Sequence, residues 1–410
     1  MVTFVLQNAK FLIAGMLLTL NSSFGQTFFI SIFAAQIMAD FALTDGEWGL
    51  LYTIGTTASA IVMFWAGALT DFFRARTLAW FVMPGLAGAC FAMAQNTSAI
   101  GLVAVVFFLR VLGQGMIFQL ATVSMARWFA SRRGAALSIS GMGFWLGQAI
   151  LPPLFAFLLL RADWQTLWLV AACIVLVSFP VVLWLLKLER TPQSLAQETQ
   201  SVGMEGRHWT RNDVLRSRFF WMLVPLLIGL PAWGTALLFQ QVHIAEVKGW
   251  LLVDYLALIP MMTVVAVAVT LGTGAAVDRF GSGLLLQLFP MSWIAGFVLL
   301  SFASTLSAAA LAFAVFGIAT GMQATLITAF WAEYFGTRHL GSIKAASASM
   351  MVLGSAIGPG VSGLLIDLGF TFPDQMLGVA LWFAVSMAFV VFAVRSANRA
   401  LPAKVNIERP

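Results

Sequence analysis

The sequence contains little charge: Asp, Glu, Lys and Arg together account for only 9% of its 410 residues. Soluble globular domains usually carry about 25% charged residues. Hydrophobic residues account for 61% of the chain, which is more than the core of a soluble domain needs, so the surplus is expected to face lipid. The scarcity of charge therefore excludes an ordinary soluble protein and indicates a membrane protein.

Cysteine is equally scarce, and no secretory signal peptide is evident. Cys90 and Cys173 both lie in apolar runs, which argues against a scaffold held together by disulfides. The first apolar run, residues 11–37, is longer than the hydrophobic region of a signal peptide, and no small-residue cleavage site follows it. This run is therefore predicted to be the first membrane span.

Acidic residues are absent from the middle third of every apolar run. Asp40, Glu246, Asp254 and Asp367 all lie near the predicted outer surface. A proton-driven pump of cations normally needs a buried carboxylate to carry the proton. The absence favours an anionic substrate that moves by exchange, by facilitated passage, or together with a proton that it brings itself.

Long apolar runs are what the sequence does contain. A run of about 20 apolar residues can cross a bilayer as a helix, and we number twelve such runs as spans 1 to 12, starting near Phe11, Glu47, Thr77, Ala99, Gly134, Trp164, Phe219, Leu251, Ser282, Leu306, Ser342 and Gln375. The chain is thus predicted to be an all-α polytopic membrane protein. Its predicted parts are an N-terminal six-helix bundle (1–187), a cytoplasmic linker (188–218), and a C-terminal six-helix bundle with a short cytoplasmic tail (219–410).

Positive charges are distributed unevenly between the two sides of these spans. If both termini and every loop after an even-numbered span lie on one side, that side holds 19 of the 22 Lys and Arg. The other side holds only Arg161 and Lys248, and Arg110 lies inside span 4. Because Lys and Arg concentrate in cytoplasmic loops, both termini are predicted to be cytoplasmic, and we expect the membrane to be a bacterial inner membrane. This topology accounts for the net charge of +6 without nucleic-acid binding.

Short patterns recur about 206 residues apart. Residues 67–71 (GALTD) match residues 274–278 (GAAVD), and residues 128–133 (WFASRR) match residues 334–339 (YFGTRH). Six spans separate the copies, so both copies have the same orientation. Parallel six-span repeats are an architecture of secondary transporters, which bind their substrate near the middle of the membrane.

The first of these loops resembles the signature of the major facilitator superfamily, G-x-x-x-D-R-x-G-R-R between spans 2 and 3. The first copy lacks the basic residue after Asp71 and the following Gly, and the second lacks the trailing basic pair. The resemblance covers essentially the whole chain and implies the major facilitator fold. It also implies gating roles at the cytoplasmic span ends, where the candidates are Asp71, Arg74, Arg76, Arg132, Arg133, Asp278, Arg279, Glu333 and Arg338. For Glu333, plain solvation at the interface is an alternative.

The segment between spans 4 and 5 narrows the resemblance. Residues 126–134 (ARWFASRRG), together with Gly141, Gly147 and the following prolines, resemble the monocarboxylate and oxalate/formate exchanger branch. This implies a monocarboxylate or a related anion as substrate. Span 8 has Asp254 only at its outer end and contains no Arg. The Asp/Arg pair usual in the animal members is therefore missing, which puts their proton-coupling scheme in doubt here.

Arg110 is the one basic residue inside a span, within FFLRVLGQGM at residues 107–116. It lies roughly 11 residues, or about 17 Å, from the outer end of span 4, where a charge costs about 2.5–3.5 kcal/mol or more. Gly113 and Gln114 share its helical face at i+3 and i+4. Arg110 either binds a substrate carboxylate through its guanidinium fork, or is a structural charge hydrogen-bonded by neighbouring helices.

Neutral polar residues occur in other spans, and those of span 1 lie at the same predicted depth as Arg110. The densest cluster is in span 1, where unpaired polar groups would be costly in lipid, so it is expected to face a cavity or to bond other helices. Pro231 is expected to kink or open span 7 near its middle. Together with Arg110, the predicted substrate-binding residues are Asn21, Ser22, Gln26, Gln114, Trp145, Gln148, Trp233, Gln240 and Gln323.

The predicted function is secondary active or facilitative transport of a small organic anion by alternating access. An exporter of drugs or other small molecules is an alternative, since the chain has 19 Met, 15 Trp and 36 Phe. A solute sensor that does not transport is another. No His–Glu, Ser–His or Cys–His constellation lies at one depth, so we expect no enzyme activity, cofactor or metal. The expected partners are an anionic small molecule, the lipid bilayer, and a coupling proton or exchanged anion, with the chain as a monomer.

Overall fold

The regular structure of the chain is helical throughout the residues that can be described. A computed structural model describes residues 2–66, 69–129, 133–188, 202–336 and 339–397. Within these ranges ten helices are long and apolar enough to cross a membrane, and a bent pair in span 1 makes eleven. A further helix of 22 residues, Asp45–Ala66, occupies the place of predicted span 2. The predicted all-α fold with twelve membrane helices is confirmed.

The spans follow one another in the predicted order, and several consist of more than one helical segment. Span 1 comprises Val2–Ser22, Ser23–Gly25, Thr27–Ile30, Ser31–Phe33 and Ala34–Phe41, and span 4 comprises Ala99–Leu109, Arg110–Ile117 and Phe118–Trp128. Spans 2, 3, 5 and 6 are the single helices Asp45–Ala66, Ala75–Ala94, Arg133–Leu158 and Trp164–Leu185. Span 7 comprises Arg218–Phe239 and Gln241–Lys248, span 8 comprises Leu252–Leu256 and Leu258–Phe280, and span 9 comprises Ser282–Leu288 and Pro290–Phe302. Spans 10, 11 and 12 are the single helices Leu306–Phe335, Leu340–Asp367 and Phe372–Ala397. Short helical segments outside the spans are Leu69–Phe72, Leu186–Leu188, Met204–Gly206 and Arg211–Arg216.

Span 1 is broken near its middle, where a continuous helix was expected. Its first α-helix ends at Ser22, and a 3-10 turn follows over Ser23–Gly25. Gln26 is extended (φ −88°, ψ 151°) before the helix resumes at Thr27. The parts before and after this break meet at an angle of 51°. Backbone groups at the break are released from the helical ladder and can bond groups outside span 1.

The break falls in a stretch where side chains compete with the helix for its carbonyl groups. Ser22 Oγ donates to Thr19 O (2.6 Å), and Ser31 Oγ shares its single hydroxyl proton between Thr27 O (2.8 Å) and Leu238 O of span 7 (2.6 Å). Such back-bonding by Ser weakens and bends helices, and Gly25 adds the conformational freedom of a residue without Cβ. The polar cluster of span 1 therefore interrupts the helix.

Span 4 contains a π-helical segment, Arg110–Ile117, between two α-helical segments. Its backbone approaches the break in span 1 closely: a Cβ atom built on Gly113 would lie only 2.7 Å from Gly25 Cα. Two glycines at one crossing allow the helices to approach at backbone distance. The π-helical turn, an uncommon feature that concentrates at functional sites, therefore faces the released backbone groups of span 1.

The chain forms two compact units. Unit 1 consists of Met1–Gln197, Thr235–Pro260 and Ala356–Phe372, and unit 2 of Glu198–Gly234, Met261–Ser355 and Pro373–Pro410. These units do not coincide with the predicted bundles, because parts of spans 7, 8 and 11 pack within unit 1. The division into tandem six-helix bundles remains a prediction.

Within unit 1, Asp367 at the end of span 11 binds the beginning of span 2. Its carboxylate accepts hydrogen bonds from Thr44 Oγ1 (2.8 Å) and from the backbone N–H of Gly46 (3.1 Å). A carboxylate at a helix N-terminus is stabilised by the unpaired N–H groups there and by the helix dipole. Asp367 thus holds the predicted outer ends of spans 2 and 11 together.

Two further hydrogen bonds join the same group of spans. Ser31 Oγ donates to Leu238 O (2.6 Å), which joins span 1 to span 7. Thr53 Oγ1 donates to Ala356 O (2.7 Å), which joins span 2 to span 11. We call these two bonds, together with the bonds to Asp367, the outer contact.

In unit 2, the described part of the linker packs on the end of span 10. The backbone N–H of Trp209 donates to Phe335 O (3.1 Å), and the two rings meet edge to face at 5.4 Å. Thr210 and Asp213 form a capping box at the start of a short helix. Hydrogen bonds from Thr210 lower the pKa of the Asp213 carboxyl.

Replacement of Gly113 by Ala is expected to destabilise the fold, because the added methyl group would meet the backbone of Gly25 at 2.7 Å and a backbone cannot move as a side chain can. Overpacking of this kind typically costs about 1–3 kcal/mol. The measurement is thermal unfolding of the purified protein in detergent. Gly88→Ala is the matched control, since nothing lies within 4 Å of its added methyl group; equal unfolding temperatures for both variants would contradict the close crossing.

Candidate functional site

Arg110 is almost completely buried in unit 1, with 2% of its surface exposed. Its Nη1 donates to Thr27 Oγ1 (3.2 Å) and, at a longer distance, to Gly25 O (3.5 Å). The guanidinium carbon lies 5.6 Å from the centroid of the Tyr52 ring, within the range of a cation–π contact. Among the described residues, the groups that contact this cation are therefore neutral.

The hydrogen bonding of this guanidinium is incomplete. A guanidinium has five N–H donors, yet the two bonds described both come from Nη1, and Nε is buried without a partner. An unpaired buried donor is costly, more so on a charged group. A carboxylate could accept from two of these donors at once in the bidentate geometry that Arg favours. Because Arg110 is buried, a ligand reaches it only after neighbouring groups move.

Tyr52 completes the surroundings of Arg110 and was not among the predicted site residues. It is fully buried, and its Oη lies 2.6 Å from Thr27 Oγ1. Arg110, Thr27 and Tyr52 thus form a continuous chain of contacts. The available signal was composition: the sequence has only 3 tyrosines, and a buried Tyr hydroxyl within an apolar span usually has a hydrogen-bond partner.

Span 7 is interrupted next to this network. Pro231 was predicted to kink or open the helix. The helix does not open there; it continues to Phe239 and breaks at Gln240 (φ −88°, ψ 17°). The Phe239 ring lies 4.7 Å from the Tyr52 ring and stacks on the Trp48 ring at 5.6 Å. Phe239 is therefore held between two aromatic residues of span 2.

The two glutamines after Phe239 bind different spans. Gln240, which was predicted to contact substrate, is buried and donates through Nε2 to Ser362 Oγ (3.1 Å). Gln241 donates through Nε2 to Ser31 Oγ (3.0 Å) and to Phe28 O (3.3 Å). The Oε1 atom of Gln241 is buried without a partner, so one acceptor in this region is unused.

Two predicted residues of span 1 make contacts typical of helix packing. Asn21 donates to a carbonyl of its own helix and accepts from Ser178 Oγ of span 6 (2.9 Å). Ser22 donates to a carbonyl of its own helix. Gln26 is the extended residue at the break and is 8% exposed. Substrate binding by these three residues stays a prediction.

The other predicted binding residues are divided between the units. Gln148 is buried in unit 1, and its Oε1 atom has no partner. Gln114 and Trp145 are half-buried in the same unit. Trp233 and Gln323 are half-buried in unit 2. Substrate binding by these residues also remains a prediction.

The predicted gating residues can be placed only in part. Arg132 and Arg338 lie outside the described residues, as do the side chains of Asp71, Arg133 and Asp278. Arg74 and Arg76 are exposed, and Arg279 is exposed with its guanidinium carbon 5.3 Å from the Phe280 ring. A gating role for these residues stays a prediction.

Glu333 binds the beginning of a neighbouring span in unit 2. Its Oε2 accepts from the backbone N–H of Ser282 (2.9 Å) and from Ser282 Oγ. Ser282 is the first residue of span 9, so the carboxylate also meets the positive end of a helix dipole. This contact ties span 10 to span 9.

Comparison with known proteins identifies the family. Residues 15–359 match the model of the Major Facilitator Superfamily, which is most of the chain. The chain belongs to the major facilitator superfamily. Members of the superfamily are membrane transporters, so the protein is a transporter and not an enzyme.

Solved structures of other major facilitator proteins share the fold. A bacterial homolog to the human lysosomal transporter Spinster is 17% identical, with a TM-score of 0.69 over 97% of this chain and 99% of that chain. The nucleoside transporter NupG is 16% identical, with a TM-score of 0.71 over 95% and 99%. Identities this low support the fold alone.

A curated relative is similar to this chain over part of its length. A galacturonate transporter of Dickeya chrysanthemi is 28% identical over 122 residues, which cover 27% of this chain. The match spans 35% of the length of that transporter.

Replacement of Thr27 by Val is expected to destabilise this major facilitator protein by about 1–3 kcal/mol, because Arg110 and Tyr52 both lose a buried partner. The measurement is unfolding in detergent. Thr27→Ser keeps the hydroxyl and is expected to lose less. The control is Thr122→Val, because the Thr122 hydroxyl donates only to carbonyls of its own helix. A loss of stability in Thr122→Val as large as that in Thr27→Val would contradict the contribution of the Arg110–Thr27–Tyr52 contacts.

Proposed function

We propose that this protein transports a small organic anion, a carboxylate that carries hydroxyl groups, across the membrane by alternating access. The observation that carries the proposal is the unpaired Nε of Arg110, a buried cation whose contacts among the described residues are neutral. A substrate carboxylate would supply both the missing acceptor and the missing negative charge.

The energetics of Arg110 favour an anion over the other candidate substrates. A charge inside the membrane is costly unless it is paired, and Thr27 and Gly25 O offer only neutral acceptors. A carboxylate can satisfy two guanidinium donors at once. An apolar drug offers no acceptor, which argues against the drug-export alternative.

Two buried acceptors without partners in unit 1 support the proposal that the anion carries hydroxyl groups. The Oε1 atoms of Gln148 and Gln241 are buried without partners. An ionised carboxylate has no N–H or O–H donor, so a plain carboxylate would leave these two oxygens unpaired, whereas a hydroxyl group can donate to them. The partial similarity to a galacturonate transporter supports the same class, since galacturonate has one carboxylate and several hydroxyl groups.

The remaining assignments belong to the same proposal. Besides Arg110, we assign substrate contacts to Asn21, Ser22, Gln26, Gln114, Trp145, Gln148, Trp233, Gln240 and Gln323. The resemblance of residues 126–134 to the monocarboxylate and oxalate/formate exchanger branch supports a carboxylate. Both termini are cytoplasmic in a bacterial inner membrane, and the monomer exchanges anions or carries a proton with the substrate.

The role of Arg110 is tested by counterflow of labelled galacturonate into proteoliposomes. Arg110→Gln is expected to reduce the exchange rate at least about 30-fold, because loss of a buried charge pair costs about 2–5 kcal/mol. Arg110→Lys keeps the charge but loses the fork and is expected to retain an intermediate rate. The matched control is Arg161→Gln, since Arg161 is exposed and stacks on Phe157 (5.0 Å). Undiminished exchange in both Arg110 variants would rule out the assigned role.

The hydroxyl requirement is tested by competition in the same assay. Unlabelled gluconate is expected to inhibit galacturonate exchange more strongly than hexanoate, which has the same number of carbon atoms and one carboxylate but no hydroxyl group. Equal inhibition by both would refute the hydroxyl requirement. Absence of exchange with every carboxylate in a broad panel would refute the anion proposal itself.

A further inference from the structure

Tyr52 contacts both Arg110 and the break in span 7. Its ring lies 5.6 Å from the guanidinium carbon of Arg110, and its hydroxyl lies 2.6 Å from Thr27 Oγ1. The same ring lies 4.7 Å from the ring of Phe239. Tyr52 is fully buried, so its position depends on these neighbours.

On the side of Arg110, one hydroxyl serves two partners. Thr27 Oγ1 accepts from Arg110 Nη1 (3.2 Å) and also forms a hydrogen bond with Tyr52 Oη. An anion that accepts the Nη1 donor competes directly with Thr27. Binding that takes this Nη1 donor therefore changes the hydrogen bonding of Tyr52, even if the anion never contacts Tyr52.

On the opposite side, Tyr52 borders the outer contact. Phe239 follows Leu238, whose carbonyl accepts from Ser31 Oγ in that contact. Thr53, the next residue after Tyr52, donates to Ala356 O in the same contact. A shift of Tyr52 thus acts on both the span 1–span 7 bond and the span 2–span 11 bond.

We propose that Tyr52 is a positioning residue that links the occupancy of Arg110 to the outer contact. Without an anion, Arg110 fixes Thr27, Thr27 fixes the Tyr52 hydroxyl, and the Tyr52 ring supports Phe239. An anion that takes the Nη1 donor of Arg110 releases Thr27, and the support of Phe239 weakens. This link rests on the proposed function in one respect only, namely that the ligand that releases Thr27 from Arg110 is the transported anion.

The first test uses no anion. Ala356 is 1% exposed, and a cysteine there reports opening of the outer contact when Cys90 and Cys173 are replaced by Ser. Purified Ala356→Cys protein in detergent is labelled with a maleimide reagent. Tyr52→Phe is expected to raise the labelling rate about three- to tenfold, since it removes one hydrogen bond of the link.

A matched substitution controls for the loss of a buried hydroxyl. Tyr255 is also in unit 1 and 1% exposed, and its ring stacks on Trp250. Tyr255→Phe is expected to leave the labelling rate unchanged. Thr27→Val interrupts the link between Arg110 and Tyr52, and it is also expected to raise the labelling rate. This second variant provides the test if Tyr52→Phe does not fold. Labelling in the folded link variants at the rate of the parent protein would overturn the proposal.

The second test adds galacturonate as the probe anion. In the parent reporter protein the anion is expected to raise the labelling rate, and in Tyr52→Phe this response is expected to disappear while the anion still raises the unfolding temperature. A merely structural role of Tyr52 would leave the response intact, and an equal response in both proteins would overturn the link. If the parent reporter protein neither binds galacturonate nor responds to it, the result would count against the proposed function. The labelling rates of the variants without anion would still decide whether Tyr52 forms the link.

Discussion

The structure around the centre of unit 1 depends on one constraint: a guanidinium within a membrane helix needs hydrogen-bond acceptors. Lipid offers none, and the described residues place no carboxylate in contact with Arg110. The acceptors come instead from the break in span 1, as the carbonyl of Gly25 and the hydroxyl of Thr27. The close approach of Gly113 to Gly25 brings these groups within reach. Backbone irregularity and buried charge thus belong to a single arrangement.

This arrangement is incomplete in a way that suits a transporter. A fully paired guanidinium would gain little from a substrate, whereas an unpaired Nε retains affinity for an acceptor. The partners already present are neutral and weaker than a carboxylate, so an anion can replace them. Tyr52 contacts both Thr27, which is a partner of Arg110, and Phe239, which lies next to the outer contact. Binding and conformational change can therefore share one set of side chains.

The sequence predicted the fold well because hydropathy and charge distribution are properties of whole segments. Twelve apolar runs appear as twelve helical spans, and the repeated loops pointed to the superfamily that the family match confirms. Each of these inferences needed information from a single segment or from its copy.

The details of the site needed contacts between spans, which one sequence does not contain. Nothing in the polar stretch of span 1 distinguishes a break at Gln26 from a continuous helix that faces a cavity. Span 7 opens at Gln240 and not at Pro231, because a proline can remain within a continuous membrane helix. Asn21 bonds Ser178 of span 6, and Tyr52 meets Thr27 of span 1. These pairings are tertiary, so helical spacing could not reveal them.

The central claim is that Arg110 binds a negative charge on the substrate. The most direct measurement compares the affinities of the purified protein for galacturonate and for galactose, which share hydroxyl groups but differ in the carboxylate. The wild-type protein is predicted to bind galacturonate about 100-fold or more tightly than galactose, and Arg110→Gln to lose that preference. Equal affinities in the wild-type protein, or a preference that persists in Arg110→Gln, would contradict the claim.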